Sequence, residues 1–244
     1  MNAASRPGGP VDGEGARLGA EAARRLAQSG RADIGPGLTK AEFARVERDY
    51  GFEFADDHRA FLAAGLPLNP SPGPRPQGQR SQEQRPQEQR PRGPRPPGRP
   101  PAEQPTPEGR PSAPGPWPDW RDGDPADLRQ RLAWPVEGVL FDVERNAYWH
   151  PSWGRRPADP GHALSAARRH LAQAPAMIPV YSHRYLPAGR LAHGHPVLSI
   201  YQTDIIVYGT DLPEYVTNEF TERRHFIAPD WTPPPLVPFW SDFI

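Results

Sequence analysis

The stretch His195–Phe220, HPVLSIYQTDIIVYGTDLPEYVTNEF, decides the fold. Val197 to Tyr201 is apolar and rich in β-branched residues, Gln202-Thr203-Asp204 is a polar break, and Ile205 to Tyr208 is apolar again before Gly209. Two short β-rich runs joined by a short polar loop read as a hairpin. A helix follows at once. Asp211 is placed to cap it, and Leu212, Tyr215, Val216, Glu219 and Phe220 fall on one stripe at helical spacing. No other stretch offers as much buriable surface in so few residues.

Composition limits what surrounds this unit. Among 244 residues there are 36 Pro and 23 Gly, and only 36% are hydrophobic, so much of the chain has little to pack. Lys+Arg and Asp+Glu are both 29, which leaves no net field to steer the chain to nucleic acid or an anionic membrane. There is no cysteine, so disulfides, thiolate-bound zinc and thiol catalysis are all excluded. No apolar run reaches membrane-spanning length, and the first residues, MNAASRPGGPVDGEG, lack the pattern of a secretory signal. The expected location is cytoplasmic, without a membrane partner.

Working outward, residues 1–36 read as a flexible extension carrying a weakly docked, Ala-rich helix over Ala16–Ser29. Thr39-Lys40-Ala41-Glu42 is a capping box that opens a helix with Phe43, Val46 and Tyr50 on one face and Gly51 at its end. A second helix spans about Asp56 to Ala64, with Phe61 and Leu62 inward. Residues 69–116 contain no aliphatic side chain larger than Ala, and Arg75, Arg80, Arg85, Arg90 and Arg95 recur at every fifth position. This segment reads as a disordered insert of polyproline II character. Asp124 and Pro125 start another helix, which Pro135 is expected to end. Val139–Val143 and Ala147–Trp149 then read as a strand pair about a Glu144-Arg145-Asn146 turn. Gly161–Ala174 is a helix, and Met177–Tyr181 is a strand whose Pro179 marks an edge or a bulge. Residues 227–244 form a Pro/aromatic tail, too apolar to hang free. The fold class is α+β: one mainly antiparallel sheet with helices packed on one side, plus the insert.

The order of these elements resembles the SUKH superfamily, the Smi/Knr-type domain. The matching pieces are Leu38–Gly51 with FADDHRAFLAAG (54–65), WPVEGVLFDVERNAYWHPSWG (134–154), MIPVYSHRYLP (177–187) and HPVLSIYQTDIIVYG (195–209) with its helix. Together they cover 37–68 and 117–226. The chain departs from the family in having Ala55 and His58 where Pro and Tyr are usual, and Gly65-Leu66-Pro67 in place of an Asn-Gly pair. The resemblance implies a non-catalytic, protein-binding α+β domain. Bacterial members are commonly immunity proteins that neutralise a toxin domain, and fungal relatives are regulatory scaffolds.

Three chemistries compete for the site. A metal-dependent enzyme or small hydrolase would draw on His150, His183, His193 and His195, or on Ser152 and Ser182. Yet the loop Gly189–Gly194 reads as mobile, and neither a helical metal-ligand spacing nor a G-x-S-x-G elbow is present. Asp142 and Glu144, two residues apart, are expected to share a solvated strand face. The insert could bind RNA or a Pro-recognising domain, but it carries no aromatic ring to stack on bases. Protein binding remains the first reading, with neither cofactor nor metal. Its candidate residues are Trp149, Trp153, His183, Arg184, Tyr185, Tyr201 and Asp204, because Trp, Tyr and Arg are what such surfaces concentrate.

Overall fold

The computed structural model describes residues 12–69, 116–221 and 237–244. In chain order these form α1 (Asp12–Ser29), β1 (Asp33–Gly35), α2 (Lys40–Tyr50), α3 (Asp56–Ala64) and β2 (Leu66–Leu68). After position 115 come α4 (Pro125–Arg145), α5 (Pro160–Leu171), β3 (Met177–Tyr181), β4 (Arg184–Pro187), β5 (Val197–Tyr201), β6 (Asp204–Gly209) and α6 (Leu212–Phe220). Single 3-10 turns lie at Pro151–Trp153 and Trp240–Phe243. The insert, apart from Asn69 and Pro116, lies outside the described residues. So do Arg223, Arg224, His225, Trp231 and Leu236.

The hairpin of β5 and β6 forms as its sequence requires. Tyr201 pairs with Asp204, so only Gln202 and Thr203 make the turn, and Gln202 takes a positive φ of 57° to close it. β3 and β4 repeat the device: Tyr181 pairs with Arg184, and Ser182 has φ 49°. The four strands pair antiparallel in the order β3-β4-β5-β6. β3 is therefore an edge, and its register slips between Pro179 and Tyr181, so Pro179 costs no ladder bond in a central strand. Both two-residue turns lie at one end of the sheet, while the 188–196 link lies at the other. β1 and β2 make a separate two-stranded sheet.

Strand alternation sends side chains into two cores, and helices close both. Ile178, Val180, Leu186 and Val197 face a core completed by α1, α2, α3, α6, Trp117 and Trp120. Met177, Tyr185, Leu198, Ile200 and Ile205 face a second core completed by α4, α5, Val237 and Trp240. The one-sided helix layer expected from the sequence is corrected here. Nearly every residue of β3, β4 and β5 is apolar, which suits strands covered on both faces and leaves no solvated side.

Two helices differ from expectation. α1 is firmly docked. Ala22 and Leu26 are buried, and Arg25 donates to the Pro213 carbonyl and the Thr217 hydroxyl of α6. A Cβ on Gly19 would land 2.6 Å from the Ala60 Cβ, so α1 and α3 approach as closely as backbones allow. A stripe that is mostly Ala offers little apolar area, but together with Gly19 it permits this contact. α4 runs unbroken through Pro135 to Arg145, and the expected strand pair over 139–149 is absent. Val136, Val139, Leu140 and Val143 form a helical stripe against the sheet. Pro135 cannot donate to the Arg131 carbonyl one turn back. The buried Tyr185 hydroxyl donates to that carbonyl at 3.1 Å, which offsets the lost helix bond.

The remaining elements follow their local signals. The Thr39–Glu42 capping box is complete, with Thr39 N–H on the Glu42 carboxylate at 2.7 Å and Glu42 N–H on the Thr39 hydroxyl at 3.3 Å. Asp124, Asp159 and Asp211 cap α4, α5 and α6. At the C-terminus Trp240 is fully buried and donates to the Pro175 carbonyl at 2.8 Å. This last segment therefore belongs to the domain's own second core.

Candidate interaction surface

The sequence candidates separate into three groups. Tyr185 and Arg184 are interior and cannot meet a partner directly. Tyr185 is 1% exposed, and burial pushes its hydroxyl pKa well up. Arg184 is 8% exposed: it donates to the Ser199 hydroxyl at 3.0 Å, lies 3.8 Å from the Tyr208 ring centroid and sits 3.5 Å from Glu219. It bridges β4, β5, β6 and α6. The expectation that Arg184 is the least core-like candidate is corrected. On the inner face of a central strand a guanidinium can stay buried only by taking such partners.

Trp149 and Trp153 form the second group, near α5 and the C-terminal turn. Trp153 stacks on His170 with centroids 5.3 Å apart and meets Trp149 edge-on. Trp153 is 9% exposed, so it finishes a core instead of offering a surface. Trp149 is half-buried, and its indole donates to the Gly154 carbonyl at 2.8 Å.

The third group lies about the β5–β6 turn, where that turn meets α4. Tyr201 is 54% exposed, Asp204 is exposed, and His183 is half-buried with its ring 6.2 Å from that of Tyr201. Burial, with Arg184 beside it, holds the His183 imidazole below its usual pKa. Trp134 packs 6.4 Å from Tyr201, and Phe141, two turns further along α4, is exposed as well. This cluster of large apolar groups is held by rigid elements.

Two contacts fix it. The Asp142 carboxylate accepts from the Thr203 N–H at 3.0 Å and the Thr203 hydroxyl at 2.6 Å, and Asn146 donates to its other oxygen. A Cβ on Gly138 would stand 3.0 Å from Gln202 Cα, so the turn lies directly on the helix. Asp142 is thus a buried latch, and the expected solvated pair with Glu144 does not form. Sequence alone does not point to Trp134 and Phe141, because Pro135 reads as the end of the helix between them. With α4 continuous, their spacing against the Val136–Val143 stripe would have found them.

Of the histidines proposed for metal chemistry, His150 has a structural role. His150 is buried, with its ring nitrogens on the Ser152 hydroxyl and the Asp242 carbonyl. The 189–194 loop is tied down: Gly189 N–H reaches the Glu53 carbonyl, Gly194 N–H the Asp57 carboxylate, and Arg190 pairs with Glu47 and Glu53. Among the described residues, no group of three or more His, Asp or Glu is arranged to hold a metal ion. No described helix is long and apolar enough to cross a membrane. No family model, curated protein or solved structure matches the chain.

Proposed function

We propose that the chain is a non-catalytic protein-binding domain that acts as an immunity protein, binding and neutralising a toxin domain, and that it works in the cytoplasm. The observation that carries the binding part is the joint exposure of Trp134 and Tyr201, in contact beside the latched β5–β6 turn, with Phe141 two turns along the same helix. Apolar side chains scattered singly over a surface are ordinary, whereas aromatic side chains gathered at one place on rigid elements are what binding surfaces use. The toxin-directed part rests on the SUKH resemblance. Blockade would be steric, with the partner's site covered by the aromatic ledge.

The test is co-expression with the toxin-like product of a neighbouring reading frame, followed by titration of the purified pair. The double variant W134A/Y201A should keep its melting temperature and lose both capture and protection. Protection equal to that of the wild-type chain would show that this surface is not the one used.

A further inference from the structure

The aromatic ledge carries charge of one sign. Glu137 follows Trp134 by one turn on the exposed side of α4, and Asp204 faces Tyr201 across the hairpin register. Both carboxylates are exposed. The arginines around them are engaged elsewhere. Arg131 holds Asp127 at 2.7 Å, Arg145 lies 3.6 Å from Glu144, and Arg184 is buried against Ser199 and Glu219. Neither Glu137 nor Asp204 has an ion-pair partner among the described residues. A chain with formal net charge +0 thus presents an uncompensated acidic pair beside its most exposed rings.

We propose that this surface takes a basic, extended segment of a protein partner, its arginine or lysine stems lying on Trp134 and Tyr201 and its positive ends reaching Glu137 and Asp204. The inference rests on the protein-binding reading above and adds the chemistry of the partner. Tryptophan and tyrosine faces attract a guanidinium or ammonium, and long basic side chains cover apolar surface with their stems. Opposed charges would also speed encounter and make it salt-dependent. Trp134 to Phe141 spans roughly 10 Å along α4, the length of about three extended residues. An anionic partner such as nucleic acid is disfavoured, because its phosphates would face the two carboxylates.

The test uses the full chain and two fluorescent peptides, one of Arg-Pro-Pro repeats and one with Glu at each Arg position, read by anisotropy at low and high salt. The Arg peptide should bind and the Glu peptide should not. E137Q/D204N should weaken the Arg peptide at least tenfold and remove most of the salt dependence. W134A/Y201A should weaken it similarly while keeping the salt dependence. Failure of the Arg peptide to bind at millimolar concentration, equal binding of the Glu peptide, or indifference to E137Q/D204N would each overturn the proposal. Binding of a single-stranded oligonucleotide in preference to the Arg peptide would do the same. With the toxin partner the two readings come apart. If W134A/Y201A abolishes capture and E137Q/D204N does not, the surface stands and its basic partner chemistry falls.

Discussion

At the scale of single residues, the hydroxyl of Tyr185 and the ring of Pro135 explain each other. The proline removes a helix donor, and the tyrosine supplies another to the same Arg131 carbonyl. Y185F should therefore cost about 1–3 kcal/mol in urea unfolding, the range for a buried carbonyl that loses a partner. In a P135A background, where the helix donor returns, the same change should cost much less. A double-mutant cycle measures the difference, and strict additivity would show that the hydroxyl does not compensate the proline. His58 makes a second residue-scale prediction. It is fully buried edge-on to Phe54, its Nδ1 has no hydrogen-bond partner among the described residues, and burial lowers its pKa from the usual 6.5 to about 3. The unfolded chain takes up a proton that the fold refuses, so stability present above pH 6.5 is lost as pH falls toward 3. The slope approaches about 1.4 kcal/mol per pH unit. Its neighbour Asp57 has the opposite sign, because burial raises that carboxyl and favours the fold at lower pH. Subtracting the stability–pH curve of H58L from that of the wild-type chain isolates His58. An unchanged slope between pH 6.5 and the carboxylate range would contradict the assignment.

At the scale of elements, α4 decides how much of the molecule was legible. Caps were readable because they are short-range: Thr39, Asp124 and Asp211 sit next to the backbone groups they satisfy. The β5–β6 pair and α6 were readable because period and turn chemistry agree there. α4 is not legible in the same way, because Pro135 is a local stop signal and the bond that offsets it comes from a tyrosine fifty residues later on another element. The apolar run Val139-Leu140-Phe141 suits strand or helix alike, and only the stripe from Val136 settles the choice. That one stop signal hides Trp134 and Phe141 and puts Asp142 on a strand face. The docking of α1 is hard to read for a related reason, since a close Gly/Ala contact leaves little trace in hydrophobicity. The latch between α4 and the β5–β6 turn should matter to both stability and binding. D142A strips the Thr203 N–H of its acceptor and should cost about 1–3 kcal/mol. G138A pushes a methyl group toward the Gln202 backbone and should cost a similar amount, about 1–3 kcal/mol. Both are read from the denaturant midpoint, and both should weaken partner capture more than an equally destabilising change in α1, because they move Tyr201 and Asp204.

At the scale of the whole molecule, the ends of the 70–115 stretch and the 237–244 segment are held by different means. The roots of the 70–115 stretch are already held together: the Asn69 side chain bonds both backbone groups of Trp117 at 2.8 Å, and the Pro116 carbonyl accepts from Ser182 N–H at 2.7 Å. A short Gly/Ser link between Asn69 and Pro116 should leave the described fold intact with an unlowered melting temperature, because these bonds already fix both ends. The C-terminal segment is the reverse case. Val237 and Trp240 fill the core beneath α4 and α5, the Trp240 indole bonds the Pro175 carbonyl, and the Asp242 carbonyl meets the His150 ring. Ending the chain at residue 236 would expose the packed side of Trp153 and leave both polar groups without their partners. W240A alone should cost about 3–5 kcal/mol, the usual range for removing a large buried aromatic. The truncated chain should bind a hydrophobic dye and melt earlier, whereas the Gly/Ser-linked chain should do neither. A truncated chain that melts with the wild type would place these last residues outside the fold and leave the second core to be closed by other parts of the sequence.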